Sequence, residues 1–334
     1  MSSELPQAHI GRRRRHQSQA WFVGSSGVAD TVMRMPSNYP VPYAESLMAE
    51  LDAIAASYAE VLDRSGIENI DPNRGGGGGV MFVGYPIHGW GASDNELEAM
   101  RMALLTRVRD WAQRFRLLFP SPTAQVRTRH DEAFSLLENW LDRGNEGRHS
   151  VPATVAAATA TLAATVATLR DARELLPSDD FKQRLVVDTN ALMDEPDLAV
   201  YAPVLGSRYM VHVLPVVLRE LDDLKRGGRQ EAQREAARKA DRRLKGLRDN
   251  GDIRTGVRVS GDVWAVFEHI EPRGDGLPNW LELDVPDDRF AASTLLLQSR
   301  HPGSSIVVAT SDLNLQTKLA ALSLPFVEPP EPGR

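Results

Sequence analysis

The sequence predicts an α/β fold in its C-terminal part, a parallel sheet with flanking helices, preceded by a mostly α-helical N-terminal region. Three observations lead there. Between residues 43 and 176 apolar side chains recur at three- and four-residue steps, the period of a buried helix face. Beyond Pro177-Ser178-Asp179-Asp180 the pattern changes to short β-branched runs alternating with helical segments, the order of strands and helices in a parallel sheet. The chain has 334 residues, 42% apolar and 25% charged, which suits one large packed domain or two ordinary ones.

The elements follow in order. Residues 1–42 mix Arg12-Arg13-Arg14-Arg15 with Ser, Gly and Pro and show no sustained period, so they read as a mobile basic arm. Gln17, Ser18 and Gln19 stand where a signal peptide needs a continuous apolar stretch. A helix is predicted across Pro42–Arg64, with Leu47, Leu51, Ile54, Tyr58 and Leu62 on one face. Gly75 to Gly79 read as a flexible loop, because the Lys-Ser/Thr of a phosphate-cradling P-loop does not follow. Val80–Ile87 is the only strand-like patch of this region. Ser93, with Glu96 three residues on, is the expected N-cap of a helix running through Leu97, Leu104, Val108, Trp111 and Phe115. Further helices span Thr123–Asp142 and an Ala/Thr stretch ending near Leu176. Thr154, Thr159, Thr161, Thr165 and Thr168 make that last stretch too polar for a bilayer. His88, Trp90, His130 and Trp140 are read as core or surface residues rather than ligands.

Residues 177–183 form a linker, 184–328 an α/β domain and 329–334 a tail. Within the α/β domain the expected strands are Leu185–Val187, Tyr209–Leu214 and Ser305–Ala309. The expected helices are Pro215–Leu224, Gln230–Asp249, Asp287–Ser299 and Leu313–Leu322.

Composition removes several kinds of chemistry. With no cysteine there is no disulfide framework, zinc–thiolate site, iron–sulfur cluster or thiol nucleophile, and any metal must be held by carboxylates or histidines. Lys and Arg number 39 against 45 Asp and Glu, a formal charge of −6, which excludes a wholly basic nucleic-acid coat but not a local basic face. A cytoplasmic protein with no membrane segment is expected.

In parallel sheets functional residues gather at the carboxyl ends of the strands. Asp188 directly follows the apolar run Leu185-Val186-Val187, and Asp312 follows Ile306-Val307-Val308-Ala309 with two residues between. Two carboxylates at one sheet edge repel each other, and a hard divalent cation, Mg²⁺ or Mn²⁺, relieves that cost. Glu220, one turn into a helix after a strand, and Asp287, at a helix start favoured by the macrodipole, have suitable contexts as well. Each acid alone has a plainer reading, as a helix N-cap or a surface carboxylate; their joint occurrence is what points to a site.

The ordered set resembles the PIN-domain ribonucleases (the family named for the PilT N-terminus). The matching segments are Asp188-Thr189-Asn190-Ala191-Leu192, Glu220-Leu221-Asp222-Asp223-Leu224-Lys225, Asp287-Asp288-Arg289-Phe290-Ala291-Ala292 and Thr310-Ser311-Asp312-Leu313-Asn314-Leu315. They arrive in family order across residues 184–328, with Phe290 where the family has Ile. The resemblance implies a metal-dependent endoribonuclease cutting single-stranded RNA. Asp188, Glu220, Asp287 and Asp312, with Asp288 as the alternate third acid, would hold one or two Mg²⁺ or Mn²⁺ ions. Thr189, Asn190, Thr310 and Ser311 would orient the carboxylates or a coordinated water. The other reading is a PIN-like scaffold that binds RNA or protein without cutting. The sequence also leaves room for a homo-oligomer and for a protein partner bound through the helical region.

Two further expectations concern neighbours of these motifs. Asp194, Glu195, Asp222 and Asp223 are read as outside the primary ligand set, since Asp222 and Asp223 lie roughly 200° and 300° around the helix from Glu220. Of this group Asp223 comes closest to the Glu220 face. Between Lys225 and Arg248 ten basic residues face only Glu231, Glu235 and Asp241. A basic helix directly after the one carrying Glu220 is expected to line the RNA path, through Lys225, Arg226, Arg229, Arg234 and Arg238.

Overall fold

The computed structural model describes residues 40–74, 81, 83, 87–144, 151–274 and 276–330. The expected basic arm up to residue 39, the glycine run and most of the Val80–Ile87 patch lie outside them. The predicted helix appears as α1 (Tyr43–Arg64), and Leu47, Leu51, Ile54, Tyr58 and Leu62 form its buried face. Two short antiparallel strands, β1 (Ile67–Asn69) and β2 (His88–Trp90), connect it to α2 (Asn95–Leu117). The N-cap of α2 is Asp94 rather than Ser93: the Asp94 carboxylate accepts the Leu97 N–H at 2.7 Å. The Ser93 hydroxyl is taken instead by the guanidinium groups of Arg101 and Arg143, at 3.1 and 3.0 Å. Helix α3 (Ala124–Asp142) is capped by Thr123 and α4 (Val155–Asp171) by Thr154, and a 3₁₀ turn, Ala172–Leu175, follows. Trp111, Phe115 and Phe134 fill the space between α2 and α3, with His130 edge-on to Phe115 and Phe119. Tyr58 and Trp111 remain in this core because each donates its one polar hydrogen to a main-chain carbonyl, of Leu137 and Leu47 respectively.

The C-terminal half runs β3 (Gln183–Val187), α5 (Thr189–Asp194), α6 (Ala202–Leu205), β4 (Arg208–Val213), α7 (Pro215–Gly227), α8 (Glu231–Asp249), β5 (Val257–Ser260), β6 (Asp262–Phe267), α9 (Pro286–Arg300), β7 (Ser305–Ala309), α10 (Leu313–Ala321) and β8 (Phe326–Val327). The six-stranded sheet has the order β5-β6-β4-β3-β7-β8, parallel throughout except for β5 against β6. Its central strands β3 and β7 are buried along their whole length, as strands covered on both faces must be. Strands β5, β6 and β8 add to those expected from the sequence. β6 alternates buried and half-buried residues, a weaker signal than a continuous apolar run, and β8 is only two residues long.

Both halves belong to one compact unit, Tyr39–Arg334. No side chain caps α1; its first N–H groups go to carbonyls just before β7, Tyr43 to Ser304 at 3.1 Å and Ala44 to Pro302 at 3.0 Å. Gln113 donates to the Leu277 carbonyl at 3.1 Å, and Arg114 joins Glu50 at 2.6 Å with Ser323 beside it. Ser304 and Ser323 precede the strands β7 and β8, so the α1 and Arg114 contacts lie at the amino ends of those strands, while Leu277 belongs to the connection from β6 to α9. Among the described residues no helix is long and apolar enough to cross a membrane.

A polar network lies buried in this framework. Arg184 donates to Ser304, Asp179 and His212 Nε2, at 2.9, 3.1 and 3.0 Å, and His212 Nδ1 meets Glu268 at 2.8 Å. Burial, opposed by Glu268 and reinforced by Arg184, pushes the His212 imidazole down to about 4. His212 is therefore neutral at pH 7 and its contact with Glu268 is a hydrogen bond, not an ion pair. Between about 6.5, the ordinary value, and about 4 the unfolded chain takes up a proton that the folded chain refuses. Stability should fall as pH falls across that window, with a slope of at most about 1.4 kcal/mol per pH unit from this group. Melting curves of the wild type and of His212→Asn, neutral at every pH, test this: the variant should lack that part of the slope.

A second expectation concerns the turn between α7 and α8. A Cβ on Gly228 would sit 2.7 Å from the Leu224 carbonyl oxygen and 3.0 Å from the Arg234 side chain. Backbone must move to admit it. Gly228→Ala should cost about 1–3 kcal/mol in denaturant unfolding, whereas Gly246→Ala, with open space around it, should not destabilise.

Candidate active site at the carboxyl edge of the sheet

The register between the central strands creates the site. β3 and β7 are parallel neighbours with Val187 opposite Ala309, so the residues that follow each strand emerge side by side. Asp188 comes next after β3; its N–H still bonds the Ala309 carbonyl at 3.1 Å. Its Oδ1 caps α5 by accepting the Ala191 N–H at 2.5 Å, and its Oδ2 accepts from the Thr310 hydroxyl. The same hydroxyl oxygen accepts the Asp312 N–H at 3.0 Å, which links the two acid-bearing turns. Asp312 in turn caps α10, its Oδ1 accepting from Asn314 N at 2.8 Å and Leu315 N at 3.2 Å. Both aspartates are thus helix caps, and both also line a cavity.

Glu220 enters from α7, which Pro215 begins directly after β4, and its Oε2 accepts from the Thr189 hydroxyl. Asp287 enters from the first turn of α9, and its Oδ2 accepts from Asn314 Nδ2 at 2.8 Å. Asp188, Glu220, Asp287 and Asp312 line one cavity of about 290 Å³ together with Thr189, Asn190 and Asp223, and Leu224, Pro286, Phe290 and Leu315 supply apolar wall. A wider groove of about 960 Å³ lies between α3 and α4, and none of these acids lines it. Asp188 is only 5% exposed, and burial, followed by the nearby charges of Asp312 and Glu220, raises its carboxyl to about 6 against its two hydrogen bonds. Glu220 is raised as well, first by burial, then by Asp287 and Asp223. Two acids are held where their charged forms are costly, and each is pushed in part by the other members of the group.

The Asp287-Asp288 doublet divides. Asp288 is buried, accepts the Glu282 N–H at 2.9 Å and lies 2.6 Å from Lys318 Nζ, away from the cavity lining. Of the residues expected to support the acids, Thr189 and Thr310 bond Glu220 and Asp188, and Asn190 lines the cavity. Ser311 is exposed and hydrogen-bonds none of the acids. Asp222 is paired with Lys225 at 2.6 Å, whereas Asp223 lines the cavity, because three residues along a helix bring a side chain most of the way back to the Glu220 face. Asn314 and Lys318 join the site without having been singled out by their motifs. Their spacing of four on one helix, starting just after Asp312, is the signal that places them together.

Donor chemistry in this cavity suits a hard divalent ion: every charged lining group is a carboxylate. Among the described residues no three such groups stand close enough together to hold an ion as they are placed; the acids ring the cavity rather than converge on one point.

The basic segment next to the cavity is more fully paired than its sequence suggests. Lys225 bridges Asp222 and Asp241, Arg234 and Arg238 both meet Glu231, Arg243 meets Asp197, Lys245 meets Asp241 and Arg248 meets Asp249. Arg226, Arg229, Lys239 and Arg242 make no ion pair among the described residues.

Residues 185–328 match the family model of the PIN domain. The match covers this segment, under half of the chain. No curated protein matches the chain. The PIN domain is a nuclease-type fold, and its members are generally nucleases that typically use divalent metals and associate with RNA. In this chain the matched segment is joined to the helical region in part by contacts at the amino ends of β7 and β8, and no residue of that region lines the acid-lined cavity.

Proposed function

We propose that the matched segment is a divalent-metal-dependent endoribonuclease acting on single-stranded RNA, with Asp188, Glu220, Asp287 and Asp312 as its catalytic acids. The observation that carries the reading is that the four acids, distant in sequence, line one small cavity at the carboxyl edge of the sheet. A bound Mg²⁺ or Mn²⁺ would neutralise a phosphodiester, make hydroxide accessible near neutral pH and stabilise the leaving oxygen. The chain's own groups do the rest. Thr310 and Thr189 hydrogen-bond the Asp188 and Glu220 carboxylates and restrict their rotation, while the acids would still have to draw together around a cation. Asn314 does the same for Asp287. Leu224, Pro286, Phe290 and Leu315 exclude water from one side of the cavity.

Purified protein incubated with mixed RNA should cleave it in Mn²⁺ or Mg²⁺ and stop on chelation. Support from a hydrogen-bonding neighbour of a metal ligand is worth about 10–100-fold, so Asp188→Asn should lose more than about 100-fold. Cleavage no greater than that of the Asp188→Asn control in either metal would leave the scaffold reading, an RNA- or protein-binding domain that does not cut.

The RNA path is proposed to run from the cavity along the start of α8. Lys225, Arg234 and Arg238 already have carboxylate partners, so Arg226 and Arg229 should carry more of the phosphate binding. Arg226→Glu with Arg229→Glu should weaken RNA binding several-fold and flatten its salt slope, by about 0.7 for each single-strand phosphate no longer neutralised. Arg234→Glu should do less. Equal effects in the two variants would mean that the ion pairs of α8 open on RNA and do not bias the path.

A further inference from the structure

The cavity is lined by five carboxylates, Asp188, Glu220, Asp223, Asp287 and Asp312, and Asp288 lies just behind Asp287. Among the described residues one ammonium group reaches this end of the site. Lys318 Nζ lies 2.6 Å from Asp288 Oδ1 and 3.6 Å from Asp287 Oδ2, with its side chain only 18% exposed. The ammonium is fixed in place by α10, the helix that Asp312 caps and on which Asn314 holds Asp287.

We propose that Lys318 supplies a built-in positive charge at the Asp287/Asp288 end of the cavity, so that the site takes one divalent ion rather than two. This rests on the metal-dependent reading above and specifies the number of ions that reading requires. A lysine anchored on its own helix loses no translational freedom on occupying its place, whereas a second cation must give up both that freedom and part of its hydration. A second ion held by Asp287 would have to share that carboxylate with an ammonium 3.6 Å from its Oδ2, and like charges repel more strongly where they are partly desolvated. Lys318 thereby does for Asp287 and Asp288 what a second ion would do elsewhere. The doublet is the sequence feature that calls for it, since two adjacent acids at a helix start would otherwise add a further unpaired charge to the group.

Calorimetric titration of the full chain with Mn²⁺ alone, without RNA, tests this by count and by affinity. The wild type should take one ion, and Lys318→Arg should keep that count. Lys318→Met should gain a second ion or bind Mn²⁺ several-fold more tightly. Asp288→Asn, which leaves the ammonium less compensated, should bind several-fold more weakly. Structural disturbance would weaken both Lys318→Met and Asp288→Asn, so opposite shifts distinguish an electrostatic role from loss of fold, with thermal melts as the check on folding. Two ions on the wild type, or an unchanged count and affinity in Lys318→Met, would overturn the inference and leave the nuclease reading standing. No Mn²⁺ binding at all would overturn both.

Discussion

The adjacency of β3 and β7, parallel and in register from Gln183 opposite Ser305 to Val187 opposite Ala309, is the constraint on which the rest depends. Two buried strands that end level with one another must release their chains at the same edge. The turn after each strand then needs a helix cap, and an aspartate serves both. Capping and convergence therefore have one cause. Asp188 and Asp312 cap the helices that start there, and they are neighbours because the strands before them are. The Thr310 hydroxyl, donating to Asp188 and accepting from Asp312, ties the two turns into one unit.

From that edge the other parts acquire their roles. Strand β4 lies on the far side of β3 from β7, so α7 brings Glu220 over the same opening, where Thr189 meets it. Helix α9 delivers Asp287, and α10 secures it from the opposite side through Asn314 and Lys318. Burial and mutual repulsion hold Asp188 and Glu220 above their ordinary values, so the arrangement carries a free-energy cost that packing elsewhere must offset. The helical region contributes to that packing. It attaches through the otherwise unpaired N–H groups of α1 and through Arg114 at the amino ends of β7 and β8, and through Gln113 to the connection between β6 and α9. Such an attachment buries polar main chain productively while leaving the cavity open.

Much of this was legible in the sequence, for identifiable reasons. β3 and β7 are short apolar runs buried on both faces, and α1 has five apolar residues at helical spacing on one face, so local pattern alone located them. Asp188 stands directly after β3 and Asp312 three residues past the end of β7, and a parallel sheet leaves few other places for them to gather. What escaped local reading depended on contacts between distant segments. Strand β6 has a half-exposed face, and a pattern of that kind becomes a strand only beside β4 and β5. The N-cap of α2 moved from Ser93 to Asp94 because Arg101 and Arg143, eight and fifty residues away, claim the serine hydroxyl.

Residue order alone determined which side chains could meet at a sheet edge, because strand length and the position of each acid after its strand are local properties. Tertiary structure decided how those side chains share their charge. Asp288 became a buried partner of Lys318 while Asp287 took the cavity, and Asp223 joined Glu220 where Asp222 paired outward with Lys225. Six of ten basic residues between Lys225 and Arg248 found carboxylates, three of them, Asp197, Asp222 and Asp249, outside that span. Coulomb energy depends on separation in space and on exposure, and neither is set until helices α5, α7, α8, α9 and α10 have packed around the same sheet.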